Sequence, residues 1–153
     1  MVNPMTQVAQ DEDAVVENEE DCAAIQTLKI VGRKWIAFIM CELLAESRLY
    51  FSDLLKNVQD KSGQSISAKV LSNSLNILED HSIVEREIVQ QKPVRVQYSL
   101  KEKGKDMEVI LGALKGWGVK WGGVKHKKCR SFTCMHNAVQ ALDIEQAKEL
   151  LHR

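Results

Sequence analysis

Lys69, Ser72, Asn73 and Asn76, with Ser67 just ahead of them, are amide, hydroxyl and ammonium groups that a helix would gather onto one side. An asparagine amide pairs bidentately with the exposed edge of adenine, and a lysine reaches guanine or a phosphate oxygen. The set therefore has the chemistry to read a DNA groove. At about 100° per residue, Leu71, Leu75 and Leu78 fall at i, i+4 and i+7 and form an apolar stripe on the other side. Glu, Lys and Arg have the better propensity for an exposed helix, so small amides are unusual filler there. A solvated polar face is the competing reading of this helix alone. Downstream, Arg86, Lys92 and Arg95 supply cations for phosphates on a stretch patterned as a hairpin.

Two other constellations carry reactive groups. Cys22 stands where the first helix begins, with Glu19, Glu20 and Asp21 before it. A thiol reacts as its thiolate; the positive end of a helix favours that form and neighbouring carboxylates oppose it. Cys22 is thus a candidate reactive thiol set against an inert, packing cysteine. His126, Cys129, Cys134 and His136 are four soft or borderline ligands within eleven residues, enough in kind for tetrahedral zinc. One residue between Cys134 and His136 is poor ligand spacing on a helix, and the surrounding lysines oppose a cation. A basic linker with incidental Cys and His is the preferred reading, and a Cys129–Cys134 disulfide is a third. Cys41 falls in an all-apolar stretch and reads as core. No Gly-rich phosphate loop, nucleophile elbow or HExxH occurs, so neither an enzyme nor a cofactor is expected.

The elements that must position these groups follow from periodicity. A first helix is expected from about Asp21 to Val31 and a second from Arg33 through Leu44, apolar nearly all round and therefore central. A short third helix spans Phe51 to Val58, and the polar run Gln59–Gln64 with Gly63 reads as a loop. Ser65 or Ser67 caps the fourth helix, which ends near His81. Val94, Val96, Tyr98 and Leu100 alternate with Arg95, Gln97 and Ser99, a strand with one buried face. Val84–Val89 is its muddier partner, and Gln90–Pro93 the turn with Lys92 at its tip. Ser99-Leu-Lys-Glu102 has capping-box spacing and opens a long helix through Met107, Ile110 or Leu111, Leu114, Trp117 or Gly118, and Trp121. That much apolar surface late in a small domain either closes the helix's own core or, the preferred reading, packs against a second subunit. A last helical segment, restarted by Asp143-Ile-Glu-Gln146, closes the chain.

Composition sets the bounds. With 153 residues, 44% hydrophobic and 27% charged, the chain suits one domain with appendages. Its net charge of zero conceals an asymmetry. Residues 1–21 hold seven acidic and no basic residues, leaving fourteen acidic against all 21 basic ones in the remainder. A basic body fits a polyanion partner. The expected organisation is an acidic disordered arm (1–20), a DNA-binding and dimerisation domain (21–123), and a basic linker with a helical extension (124–153). Without a membrane-length apolar run or signal-like start, a cytoplasmic protein with reduced thiols is expected, nucleoid-associated if it binds DNA.

Ordered residues along the chain resemble the HxlR-type transcriptional regulators, a MarR-like winged helix-turn-helix family. They are Cys22 thirteen residues ahead of Trp35, Gly32-Arg-Lys-Trp35, Phe51-x-x-Leu54, and Ile66-Ser67 with Leu71, Leu75 and Leu78-Glu79. Ile83-Val-Glu-Arg86 and Pro93-Val-Arg-Val-Gln-Tyr-Ser-Leu100, running into Gly104, complete the set. The resemblance covers about residues 22–121. The chain departs from the pattern at Ala23 (usually Pro), Tyr50 (usually basic) and Ser82 (usually Gly). The loop at Gln59–Gln64 is about five residues longer than usual, the recognition helix is less basic, and residues 125–153 have no counterpart.

The resemblance implies a mainly α fold with a β-hairpin wing (α+β) and flanking dimerisation helices. It implies a homodimer on double-stranded DNA, with helix 67–80 in the major groove and wing tips 90–93 on the flanking backbone or minor groove. Cys22 becomes the sensor candidate. Two readings stand beside it: a weakly sequence-specific, chromatin-type DNA binder, and a winged-helix module that binds protein.

Overall fold

The computed structural model describes residues 22–122, 139 and 141–153. The chain runs α1 (Ala23–Val31), α2 (Lys34–Ala45), β1 (Leu49–Tyr50), α3 (Phe51–Ser62), α4 (Ala68–Asp80), β2 (Val84–Gln91) and β3 (Val94–Leu100). A single turn, α5 (Glu102–Lys105), leads into α6 (Met107–Trp121), and α7 (Ile144–Leu151) closes the described chain. The strands form one antiparallel sheet in the order β1-β3-β2. This is a winged helix-turn-helix fold, mainly helical with a small sheet.

The core forms where the apolar stripes converge. Ile36, Ile39 and Met40 of α2 are fully buried, as are Leu54 and Val58 of α3 and Leu71, Leu75 and Leu78 of α4. Ile83, Val84 and Tyr98 close the core from the base of the sheet, and Met107 and Leu111 reach it from α6. Burying each large aliphatic side chain contributes roughly 1.5–3 kcal/mol, enough for the leucine stripe to fix the roll of α4 about its axis. Cys41 lies inside, 4% exposed.

The central helix also buries a charge. Glu42 is 2% exposed, and its Oε1 meets Lys61 Nζ at 2.5 Å. Lys61 can reach it because α3 continues to Ser62, through most of the stretch expected to be loop. Gly63, in the left-handed region at φ 63, ends the helix. Gln59 Nε2 then donates to Ile66 O at 2.9 Å and braces the turn into α4. Residues 59–62 are thus the last turn of α3, and Gly63 is its cap.

Three further expectations need correction. Ser99 pairs with Glu85 inside the sheet, so no capping box forms, and Lys101 stands at the N-cap of α5 without a side-chain cap. The Val94–Leu100 strand is not buried evenly along one face: Val94 at the tip is 63% exposed, Val96 half-buried, Tyr98 buried and Leu100 half-buried. In β2 only Val84 is buried, because the arm beyond it projects into solvent, and a bulge between Ile88 and Gln90 breaks its alternation. The turn shrinks to Lys92-Pro93.

Candidate nucleic-acid interface

Ser67 sets the start of α4: its hydroxyl oxygen accepts from Val70 N at 3.2 Å, the N-cap bond expected from its position. From that cap, the leucine stripe aims inward and Lys69, Asn73 and Asn76 come out exposed, with Ser72 half-exposed beside them. Ser74 is buried, and its hydroxyl donates to Val70 O at 3.0 Å. The solvent face carries a gradient. Its first turn holds Lys69 and the free amides of the helix N-terminus, while Glu79 and Asp80 occupy its last turn. Phosphates are attracted to the first end and repelled by the second.

The wing stands beside this helix. Arg86 lies across from Tyr98 and shares a cleft of about 540 Å³ with Ser72, Asn76 and Glu79 of α4 and with Val94 and Val96. Arg95 points to the opposite face of the hairpin, where its guanidinium stacks 4.2 Å from the centroid of the Tyr50 ring. Lys92 is exposed at the tip. The two arginines are therefore divided. Arg86 belongs to the cleft between helix and wing, and Arg95 to the wing's other face with β1.

Sequence reasoning missed the residues around Arg95. Tyr50 supplies its platform, and Arg48, 3.7 Å from Glu87, adds a cation on the same side. A signal was present in Tyr50, an aromatic where the resemblance calls for a base, but a two-residue strand has no periodicity to expose it. Cys22 is exposed at the N-cap of α1. His126, Cys129, Cys134 and His136, like the acidic arm and the basic linker, lie outside the described residues. Among the described residues, no cluster of His, Cys, Asp and Glu is placed to hold a metal ion, and no helix is long and apolar enough to cross a membrane.

A capped helix with an exposed amide face beside a cationic hairpin is the arrangement of a winged-helix DNA reader. The family model for the HxlR-like helix-turn-helix matches residues 30–126. The chain belongs to the HxlR-like helix-turn-helix family. It is 34% identical over 96 residues to the uncharacterized HTH-type transcriptional regulator YvaP of Bacillus subtilis, covering 63% of this chain and 83% of that one. An uncharacterized HTH-type transcriptional regulator of Methanothermobacter thermautotrophicus is 31% identical over 110 residues, 72% of this chain and 79% of the relative. Among solved structures, the redox regulator HypR in its reduced form superposes with a TM-score of 0.58 at 29% identity, covering 68% of this chain and 97% of HypR. This HxlR-type protein is a DNA-binding transcriptional regulator.

Proposed function

We propose that this HxlR-type regulator binds DNA as a homodimer, each subunit inserting α4 into the major groove of one half-site. The observation that carries this is the exposed Lys69–Asn73–Asn76 face, which runs from the first turn of α4 to the turn before its terminal acids. Asn73 and Asn76 read adenine edges, Ser72 hydrogen-bonds a neighbouring base, and Lys69 takes guanine or phosphate. The Ser67 oxygen is committed to its cap, which leaves the hydroxyl proton for a phosphate. Arg86, Lys92 and Arg95 neutralise the backbone beside the groove, and each phosphate contact steepens the fall of log affinity with log salt by about 0.9. Two half-sites on one face of the duplex stand about 34 Å apart.

Regulation follows from occupancy of a promoter, and the protein's place is with the nucleoid. The reading includes no catalysis. Cys22, exposed at the start of α1, is the thiol through which oxidants would act. HypR, a structure of the same fold, is described as a redox regulator.

The test is fluorescence anisotropy on the DNA upstream of the protein's own coding sequence and on a scrambled duplex, at several salt concentrations. A Lys69→Ala/Asn73→Ala/Asn76→Ala variant should lose its preference for the upstream DNA while keeping salt-dependent binding to both. Equal affinity of the wild type for both duplexes would replace sequence reading with chromatin-type coating. No binding at low salt would leave a protein-interaction module.

A further inference from the structure

The C-terminal helix lies beyond the matched family region, yet it is built onto the domain. Leu142 N donates to Gly112 O at 3.0 Å, and Lys115 Nζ donates to Val139 O at 2.8 Å. The approach is so close that a Cβ at Gly116 would stand 1.8 Å from Leu142 O, so only glycine fits there. Val139 and Ala147 are buried in the joint, and Asp143 and Gln146 form a reciprocal capping box that fixes where α7 begins.

Because backbone and small side chains make this joint, the large apolar residues of both helices remain outside it. Leu114, Trp117 and Trp121 of α6 are 52%, 66% and 65% exposed, and Ile144 and Leu151 of α7 are 61% and 67% exposed. The two tryptophans, Ile144 and Leu151 line one groove of about 1040 Å³ between the helices. Together the five side chains leave on the order of 700 Å² in water, more than the largest patch of a typical monomer and close to the ~800 Å² per partner of a standard interface. The charges at the rim balance: Lys148 pairs with Glu145 at 3.0 Å, Asp143 caps α7 and Lys120 lies over the Trp121 ring. Such a rim has no net attraction for a polyanion and sets no unpaired like charges against a second copy of itself.

We infer that this face binds the same face of a second copy of the chain, so that α7 supplies part of the dimer interface. The inference rests on the dimer reading above and adds to it the element that the matched family region lacks. It also gives the extension a purpose: α7 widens the apolar face of α6 to the area that a stable pair needs.

Sedimentation equilibrium of the full chain over a wide concentration range tests it. Circular dichroism confirms that each variant is folded. The wild type should be dimeric, and Ile144→Glu/Leu151→Glu, at exposed positions, should weaken dimerisation by roughly 100-fold or more. Gly116→Leu, which forces α7 off α6, should do the same by an independent route. Leu114→Glu/Trp117→Glu separates this inference from the broader one. If that pair alone yields monomers while the α7 variants remain as dimeric as the wild type, the role of α7 is overturned and the dimer stands. A monomeric wild type overturns both. If in addition its tryptophan fluorescence shifts with the apolar probe ANS, the groove belongs to a small hydrophobic ligand.

Discussion

Lys61→Met should destabilise this protein far more than an exposed lysine normally would. The lysine head lies 2.5 Å from Glu42 Oε1; the glutamate side chain is 3% exposed and the lysine side chain 41%. Glu42 Oε2 has no hydrogen-bond partner among the described residues. Removing one partner of a fully buried ion pair costs about 3–5 kcal/mol, because the other charge is stranded away from water. Lys61 is partly solvated, and water can enter the space it vacates, so a loss of about 2 kcal/mol is expected here. Urea denaturation followed by circular dichroism reads this as a midpoint lowered by about 1 M, at a typical slope of ~2 kcal/mol per M. Glu42→Leu/Lys61→Met should recover to within about 1 kcal/mol of the wild type, since an apolar pair has no charge to desolvate. A Lys61→Met midpoint indistinguishable from wild type would refute the reasoning. So would a double variant as unstable as the single one, which would locate the effect in packing rather than charge.

Ser82 holds φ 57 in the turn before Ile83, a left-handed conformation that a β-carbon disfavours, so Ser82→Gly should stabilise by about 0.5–1 kcal/mol and raise the melting temperature. Ser67→Ala removes the cap of α4 and should cost about 1 kcal/mol in the same denaturation assay, with DNA affinity falling at least in proportion. Arg95→Ala should reduce the salt slope of DNA binding by about 1.8 per dimer, one phosphate contact from each subunit. Tyr50→Leu should weaken binding several-fold with little change of slope, because it removes the stack that holds Arg95 and leaves its charge, whereas Tyr50→Phe should bind as wild type. Equal slopes for Arg95→Ala and wild type would remove Arg95 from the interface.

Much of the fold was legible because local pattern and tertiary need agree. The stripe of Leu71, Leu75 and Leu78 settles which side of α4 is buried, and the solvent face follows by geometry. The missed features all depend on partners distant in sequence. Residues 59–62 are polar and look like loop, but Lys61 finds the buried Glu42 and the helix continues. Ser99 has a capping spacing that the ladder overrides by pairing it with Glu85. Strand β1 exists only because Leu49 and Tyr50 meet Tyr98 and Gln97.

The division of Arg86 from Arg95 is the subtlest case. Counting back from the Lys92-Pro93 turn without a bulge sets Arg86 opposite Ser99, on the face of Arg95. The extra residue between Ile88 and Gln90 shifts the register by one and sets Arg86 opposite Tyr98, facing α4. A bulge has no reliable sequence signature, so the alternation of the hairpin alone could not divide Arg86 from Arg95.

The central claim is that α4 reads adenine edges in the major groove, and 7-deaza-adenine tests it at the atom concerned. This base keeps Watson–Crick pairing and the minor groove unchanged but lacks the N7 acceptor that a bidentate asparagine requires. Binding to the preferred upstream duplex would be measured with single adenines replaced in turn, for the wild type and for Asn73→Ala and Asn76→Ala. At symmetry-related positions the wild type should lose about 1–3 kcal/mol per replaced contact, and the matching alanine variant should lose nothing further. Unchanged wild-type affinity at every replaced adenine would contradict adenine reading by Asn73 and Asn76.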